Sequence, residues 1–200
     1  MKDKKPSYDR VVKFFDFLRG GDMRRWNSHQ KTLFKNLEGK VLYVGMGTGL
    51  ETINFPTKLD VTAIDLSYSM LEHSKIRVKK YQGKMHLCQM NAEISAFRDK
   101  TFDTVVTVCV LCTVAHPIPC LEELKRVLKP DGKLVMFEHV LSKNPLYALA
   151  LKTMSNFTEF LEGTFLDRDT VNNAEKAGFR ILTHQNVYLD IVKALVAKPA

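Results

Sequence analysis

The stretch Val41-Leu42-Tyr43-Val44-Gly45-Met46-Gly47-Thr48-Gly49 constrains this chain more than any other. A short apolar run bounded by turn residues reads as a strand buried on both faces, as in a parallel sheet. Glycine at alternate positions then turns the chain sharply and lets bare backbone approach a ligand. A second apolar run, Val61-Thr62-Ala63-Ile64, ends in Asp65 about 20 residues further on, where a carboxylate suits a bidentate grip on ribose hydroxyls. The dinucleotide pattern G-x-G-x-x-G needs its third glycine where Leu50 stands, so the spacing here is G-x-G-x-G.

From residue 40 strands and helices alternate, the pattern of a parallel sheet with helices on both faces. The periodicity predicts strands near 40–45, 60–65, 84–89, 103–110 and 132–138, and helices near 49–54, 67–80 and 118–129. Ser67 and Ser69 are candidate N-caps for the second of these helices. Lys129-Pro130-Asp131-Gly132 reads as a tight turn into the fifth strand. Upstream, apolar positions between Tyr8 and Leu18 predict an amphipathic helix ended by Gly20-Gly21, with a second from about 24 to 37. Downstream, residues 141–166 form an insertion whose Leu146, Leu149, Ala150, Met154, Phe157, Phe160 and Leu161 are expected to pack as an apolar roof over the ligand edge. A helix over 167–177 and a final pair of strands, 179–187 and 188–197, complete one domain over 1–200. Residues 1–38 would supply lid helices.

These features, in this order, resemble the class I S-adenosylmethionine-dependent methyltransferases. Asn91-Ala92-Glu93 followed by Phe97, Asp99, Phe102 and Asp103 is similar to the G-D-A-E-x-L-P-F…F-D stretch of the menaquinone and ubiquinone biosynthesis type, methyltransferase type 11. Glu122-Glu123-Leu124-Lys125-Arg126-Val127-Leu128-Lys129-Pro130-Asp131-Gly132 resembles that family's helix-to-strand signature. Val110-Leu111-Cys112-Thr113-Val114 and Phe137-Glu138-His139-Val140 look like the alkyl-thiol and phospholipid N-methyltransferases. The resemblance implies a Rossmann-like α/β fold with a seven-stranded sheet, and S-adenosyl-L-methionine as cofactor with S-adenosyl-L-homocysteine as product. It implies cofactor contacts at Tyr43, Gly45, Met46, Gly47, Gly49, Asp65, Leu66, Met70, Asn91, Ala92 and Cys109. Two positions depart from the family. Tyr43 stands where an acid helps hold the methionine part, and Asn91 where an Asp reads adenine.

Methyl transfer is an in-line displacement at an activated sulfonium carbon, so the protein supplies alignment, a dry site and, where needed, a base. Ligands in open α/β sheets lie beyond the carboxyl ends of the strands. That makes His139 and His116 the candidate bases and Cys112 and Glu138 candidate substrate contacts; Tyr8 and Trp26 join them as aromatics of the lid helices, with anchoring of its own helix as the alternative for Trp26. Either histidine would take a proton from a thiol, whose ordinary pKa is about 8.5. The alternative for each is a backbone hydrogen bond at a strand end. Cys109-Val110-Leu111-Cys112 is formally C-x-x-C, but it closes a strand and no second pair exists, so inert thiols are expected and no metal.

A net charge of +8 permits an anionic partner without requiring one. The acceptor expected is a small molecule or lipid: a thiol, a lipid amine or a quinol-like ring. Against nucleic acid, there is no appended RNA-binding module and no D/N-P-P-Y/F motif after strand four. A cofactor-binding scaffold without catalysis, and peripheral membrane contact through the N-terminal helix, are the other readings. No stretch is apolar enough to span a bilayer, and the expected location is cytoplasmic.

Overall fold

The computed structural model describes residues 8–200, apart from the side chains of residues 8–11, 13, 14, 18, 22, 23 and 160–162. Seven strands form one sheet: β1 Lys40–Val44, β2 Asp60–Asp65, β3 Lys84–Gln89, β4 Phe102–Val108, β5 Leu128–His139, β6 Phe179–Tyr188 and β7 Val192–Pro199. Their order is β3-β2-β1-β4-β5-β7-β6. The first five run parallel, while β7 pairs antiparallel with both β5 and β6. The chain winds outward from β1 to β3 and then crosses back to β4. The switch point therefore lies between β1 and β4, where such sheets open a crevice at the strands' carboxyl ends.

The central strands are buried on both faces, which is why their sequences run apolar without alternation. On one face Leu42, Val44, Val105, Leu134 and Met136 pack against Leu121, Leu124 and Val127 of α3 (Pro117–Val127) and Ala174 of α5 (Thr170–Lys176). On the other, Val41, Tyr43, Val106 and Phe137 meet Trp26 and Phe34 of α1 (Tyr8–Phe34) and Leu71 of α2 (Tyr68–Val78). Fully burying a side chain of this size is worth roughly 1.5–3 kcal/mol. Ser67 caps α2 by accepting from the Met70 N–H, and Ser69 lies inside the helix.

Three expectations are corrected. First, α1 is one helix of 27 residues that runs through Gly20-Gly21. Neither glycine has a left-handed φ, and a Cβ at either would meet nothing within 4 Å. Each costs the helix about 1 kcal/mol relative to alanine, which packing on both sides of the pair outweighs.

Second, β5 starts at Leu128 rather than at residue 132. The residues expected to turn instead bulge from the ladder, since pairing passes from Phe102↔Leu128 to Thr104↔Lys133. Proline has no N–H to give a ladder, so a bulge accommodates Pro130.

Third, α4 (Pro145–Glu162) turns Leu146, Leu149, Ala150, Met154 and Phe157 away from the sheet, while the side chains of Phe160 and Leu161 lie outside the described residues. Its inner seam is Ala148, Leu151, Ser155 and Thr158, while Leu146, Leu149, Ala150, Met154 and Phe157 are exposed. Polar bonds fix this orientation. Ser155 Oγ donates to Asp167 Oδ1 at 2.9 Å and accepts from the Leu166 N–H, and Thr158 Oγ1 donates to the Thr164 carbonyl.

Candidate active site

The loop after β1 begins the site. Gly45 (φ 64°), Gly47 (φ 57°) and Gly49 (φ 77°) are all left-handed, and a Cβ on Gly45 would collide with the Val110 side chain. Larger residues are excluded at Gly45 by space as well as by conformation. Asp65, at the end of β2, ties the two strand ends together. Its Oδ2 accepts from the Gly47 N–H at 2.7 Å and its Oδ1 from the Ser67 N–H at 2.8 Å. Leu66 is exposed beside it, whereas the side chains of Met46 and Met70 are in the core. Asn91 is exposed after β3, its Oδ1 accepting from the Glu93 N–H, and Ala92 is half-buried against the α3-side core.

Helix α1 lies across this loop. Phe15 would touch a Cβ on Gly47 at 3.6 Å. Asp16 receives the Thr48 hydroxyl at 2.5 Å and pairs with Arg77 of α2 at 2.5 Å, while Arg77 also donates to the Thr48 carbonyl. Further along, Gln30 Oε1 accepts from Asn54 Nδ2 at 3.1 Å. Trp26 sits 5.7 Å from Tyr188, with the Arg25 guanidinium over both rings.

Between α1 and the strand ends lies a small cavity of about 10 Å³, room for roughly one water, lined by Arg19, Trp26, Gln30, Glu51, Cys109, Phe137, His139 and Val192. Sequence reasoning placed Trp26, Cys109 and His139 here. It missed Arg19, Gln30 and Glu51. Glu51 sits in the short 3-10 helix Leu50–Asn54 and accepts from the Tyr43 hydroxyl at 3.1 Å. Burial raises the Glu51 carboxyl, and Arg19 opposes that shift. Burial also drives the Tyr43 phenol well above its ordinary value, so it stays a neutral donor.

The remaining candidates lie elsewhere. Cys112 is buried below Cys109 and donates its S–H to the Cys109 carbonyl. Burial pushes Cys109 up to about 11 and Cys112 well up, as inert thiols require. Glu138 is fully buried, and its carboxylate accepts from the N–H groups of Val110 and Leu111 at 3.1 and 3.2 Å. It braces the loop after β4, and burial raises its pKa to about 7. His116 caps the start of α3 with its Nδ1 3.0 Å from Glu93 Oε2, away from His139 and the cavity it lines. Tyr8 opens α1, and its side chain lies outside the described residues. Among the described residues, no group of three or more His, Cys, Asp and Glu side chains is arranged to hold a metal ion.

Residues 42–136 match the methyltransferase domain family, whose span runs from the first strand to the fifth and takes in the whole loop, Asp65 and Asn91. The chain has the fold of the class I methyltransferases and is similar to a methyltransferase domain over this span. It is 35% identical over 126 residues to phosphatidylethanolamine N-methyltransferase of Cereibacter sphaeroides, covering 62% of each chain. It is 29% identical to thiol S-methyltransferase TMT1B of Rattus norvegicus, over 81% of this chain and 72% of that one. Identity to the ubiquinone/menaquinone biosynthesis C-methyltransferase UbiE of Ectopseudomonas mendocina is 32%, over 77% and 63%. The chain thus spans between about three-fifths and three-quarters of these relatives. Among solved structures, an S-adenosylmethionine-dependent methyltransferase of Thermotoga maritima superposes with a TM-score of 0.73 at 17% identity, over 96% of this chain and 97% of that one. The cyclase SpnF superposes with a TM-score of 0.69 at 18% identity, over 86% and 80%. The fold therefore carries more than one chemistry, and the acceptor must be argued from the site.

Proposed function

We propose that this chain is a methyltransferase that moves a methyl group from S-adenosylmethionine to a small, partly apolar acceptor admitted beneath α1 when that helix lifts. The observation that carries the proposal is the mixed lining of the cavity. Glu51 and Arg19 offer opposite charges, while Trp26, Phe137, Val192 and Cys109 supply apolar wall, and His139 is the imidazole at the end of β5.

The residues present fit the cofactor. Glycine-only backbone at Gly45 to Gly49 leaves room for close approach, and the Asp65 carboxylate stands where ribose hydroxyls need an acceptor. Glu51 and Arg19 match the ammonium and carboxylate of a free amino-acid end. Asn91 and Ala92, with exposed Leu66, stand on the adenine side. When bound, the cofactor supplies a methyl group on an already activated sulfonium. The protein then aligns the acceptor and excludes water through α1, which acts as a lid latched by Asp16 and Arg77. For a thiol acceptor, His139 would take the S–H proton and leave the sulfur as the thiolate nucleophile.

The curated relatives are named for methyl transfer to phosphatidylethanolamine, to a thiol and in ubiquinone/menaquinone biosynthesis. The cavity lies under α1 and half of its lining residues are apolar, which favours such acceptors over a nucleic acid. Labelled methyl transfer to a panel of alkyl thiols, phosphatidylethanolamine, reduced quinones and RNA tests the reading. Label in the volatile or organic fraction supports it. Label in RNA contradicts it. A cofactor-binding scaffold would bind S-adenosylhomocysteine by calorimetry and transfer no label to any acceptor.

A further inference from the structure

We infer that the outer face of α4 is a docking surface for the headgroup–acyl boundary of an anionic lipid bilayer. Leu146, Leu149, Met154 and Phe157 are 77%, 63%, 54% and 65% exposed, which reverses the usual placement of such side chains. With Tyr147, Ala150 and Thr153 they cover roughly 160° of the helix at about 100° per residue. The opposite seam is pinned inward by the hydrogen bonds of Ser155 and Thr158. Rolling the helix to hide its apolar face would break those bonds, so the face stays outward.

Size and charge select the occupant. A helix of 18 residues is roughly 27 Å long and about 10 Å wide, a footprint near 270 Å². A stable protein partner takes roughly 800 Å² per side, so this stripe alone is too small for a second copy. The chain carries a net charge of +8; Lys143 is exposed beside α4 and Lys152 on it, with Glu159 exposed on its flank, so the attraction comes from the whole chain rather than from the helix. Two such chains repel, whereas an anionic bilayer attracts them. The apolar residues form one face rather than a full circumference, as in helices that lie in a membrane surface. Among the described residues, no helix is long and apolar enough to cross a membrane.

The helix that carries the face is joined to the site by the chain at both ends. Helix α4 starts a few residues after His139, and the segment following it returns to the loop after β4, where the Phe165 N–H donates to the Cys112 carbonyl at 2.7 Å.

Flotation of the full chain with vesicles of phosphatidylcholine and phosphatidylglycerol tests this. Wild type is expected to float with the mixed vesicles and to be released by salt. Leu149→Glu with Phe157→Glu is expected to lower the floating fraction at least about tenfold. The same protein should bind S-adenosylhomocysteine with unchanged affinity, read from Trp26 fluorescence, because both substitutions lie outside the site. Attachment and cofactor binding are thus read separately, and loss of one leaves the other standing. Equal flotation of variant and wild type would overturn the inference. So would wild type that stays with the soluble fraction, or a dimer that the substitutions dissolve.

Discussion

The hydroxyl of Tyr43, buried in the first strand, donates a 3.1 Å hydrogen bond to Glu51 Oε2 in the 3-10 helix that follows the glycine loop. A neutral residue in the strand thereby orients a carboxylate eight positions later, and that carboxylate faces the cavity with Arg19. If Glu51 receives the cofactor's ammonium, Glu51→Gln weakens S-adenosylhomocysteine binding by about tenfold or more, about 1.4 kcal/mol, while Tyr43→Phe has a smaller effect. Binding also needs the ionised carboxyl. Because burial raises its pKa, affinity should increase as pH rises through that raised value, and Glu51→Gln should flatten this limb. Calorimetry across pH checks both. A Glu51→Gln variant with wild-type affinity would remove Glu51 from the site.

Asp65 carries two roles that separate experimentally. Asp65→Ala strips the acceptor from the N–H groups of Gly47 and Ser67, so stability falls by roughly 1–3 kcal/mol. Cofactor affinity should fall further, by about a hundredfold, since the ribose acceptor goes with it. Denaturant midpoints and calorimetry on one preparation separate the two losses.

The ion pair between Asp16 and Arg77 holds α1 on the glycine loop. Arg77→Met should speed cofactor release and weaken equilibrium binding several-fold, read from the fluorescence of Trp26. Gly20→Ala with Gly21→Ala should do the reverse. The variant gains up to about 1 kcal/mol of helix stability per site, because nothing crowds either position, and a stiffer α1 exchanges cofactor more slowly. Higher thermal stability with unchanged exchange rates would show that α1 covers the site without gating it.

Glu138 makes stability pH-dependent in a defined direction. Its folded pKa of about 7 lies above the ordinary 4.5, so the folded state holds the proton more tightly. Stability contributed this way is full below the unfolded pKa and is lost as pH rises towards about 7, by on the order of 3 kcal/mol. Glu138→Gln should remove this slope in unfolding measured between pH 5 and 8.

Most of the fold is legible in the sequence because its signals are local. The apolar runs of β1 and β4, the alternate glycines and the Ser67 cap each report on a few neighbouring residues. The site is less so. Tyr43 and Glu51 meet only because a short 3-10 helix turns the chain back, which no periodicity announces. Gly20-Gly21 reads as a helix end, yet both residues keep helical backbone, and that continuity carries Arg19 onto the cavity. For α4, amphipathicity identifies the apolar face without saying which face meets the protein. Ser155 and Thr158 decide that through partners outside the helix.

The most direct measurement is transfer of labelled methyl from S-adenosylmethionine to alkyl thiols, phosphatidylethanolamine and reduced quinones, with RNA beside them, for wild type and His139→Ala. Label should enter at least one small apolar acceptor. If that acceptor is a thiol, His139→Ala should lose about 100-fold or more at neutral pH and recover in part as pH rises past the thiol's own pKa. Label confined to RNA, or none in any acceptor from protein that binds S-adenosylhomocysteine, would contradict methyl transfer to a small acceptor in this cavity.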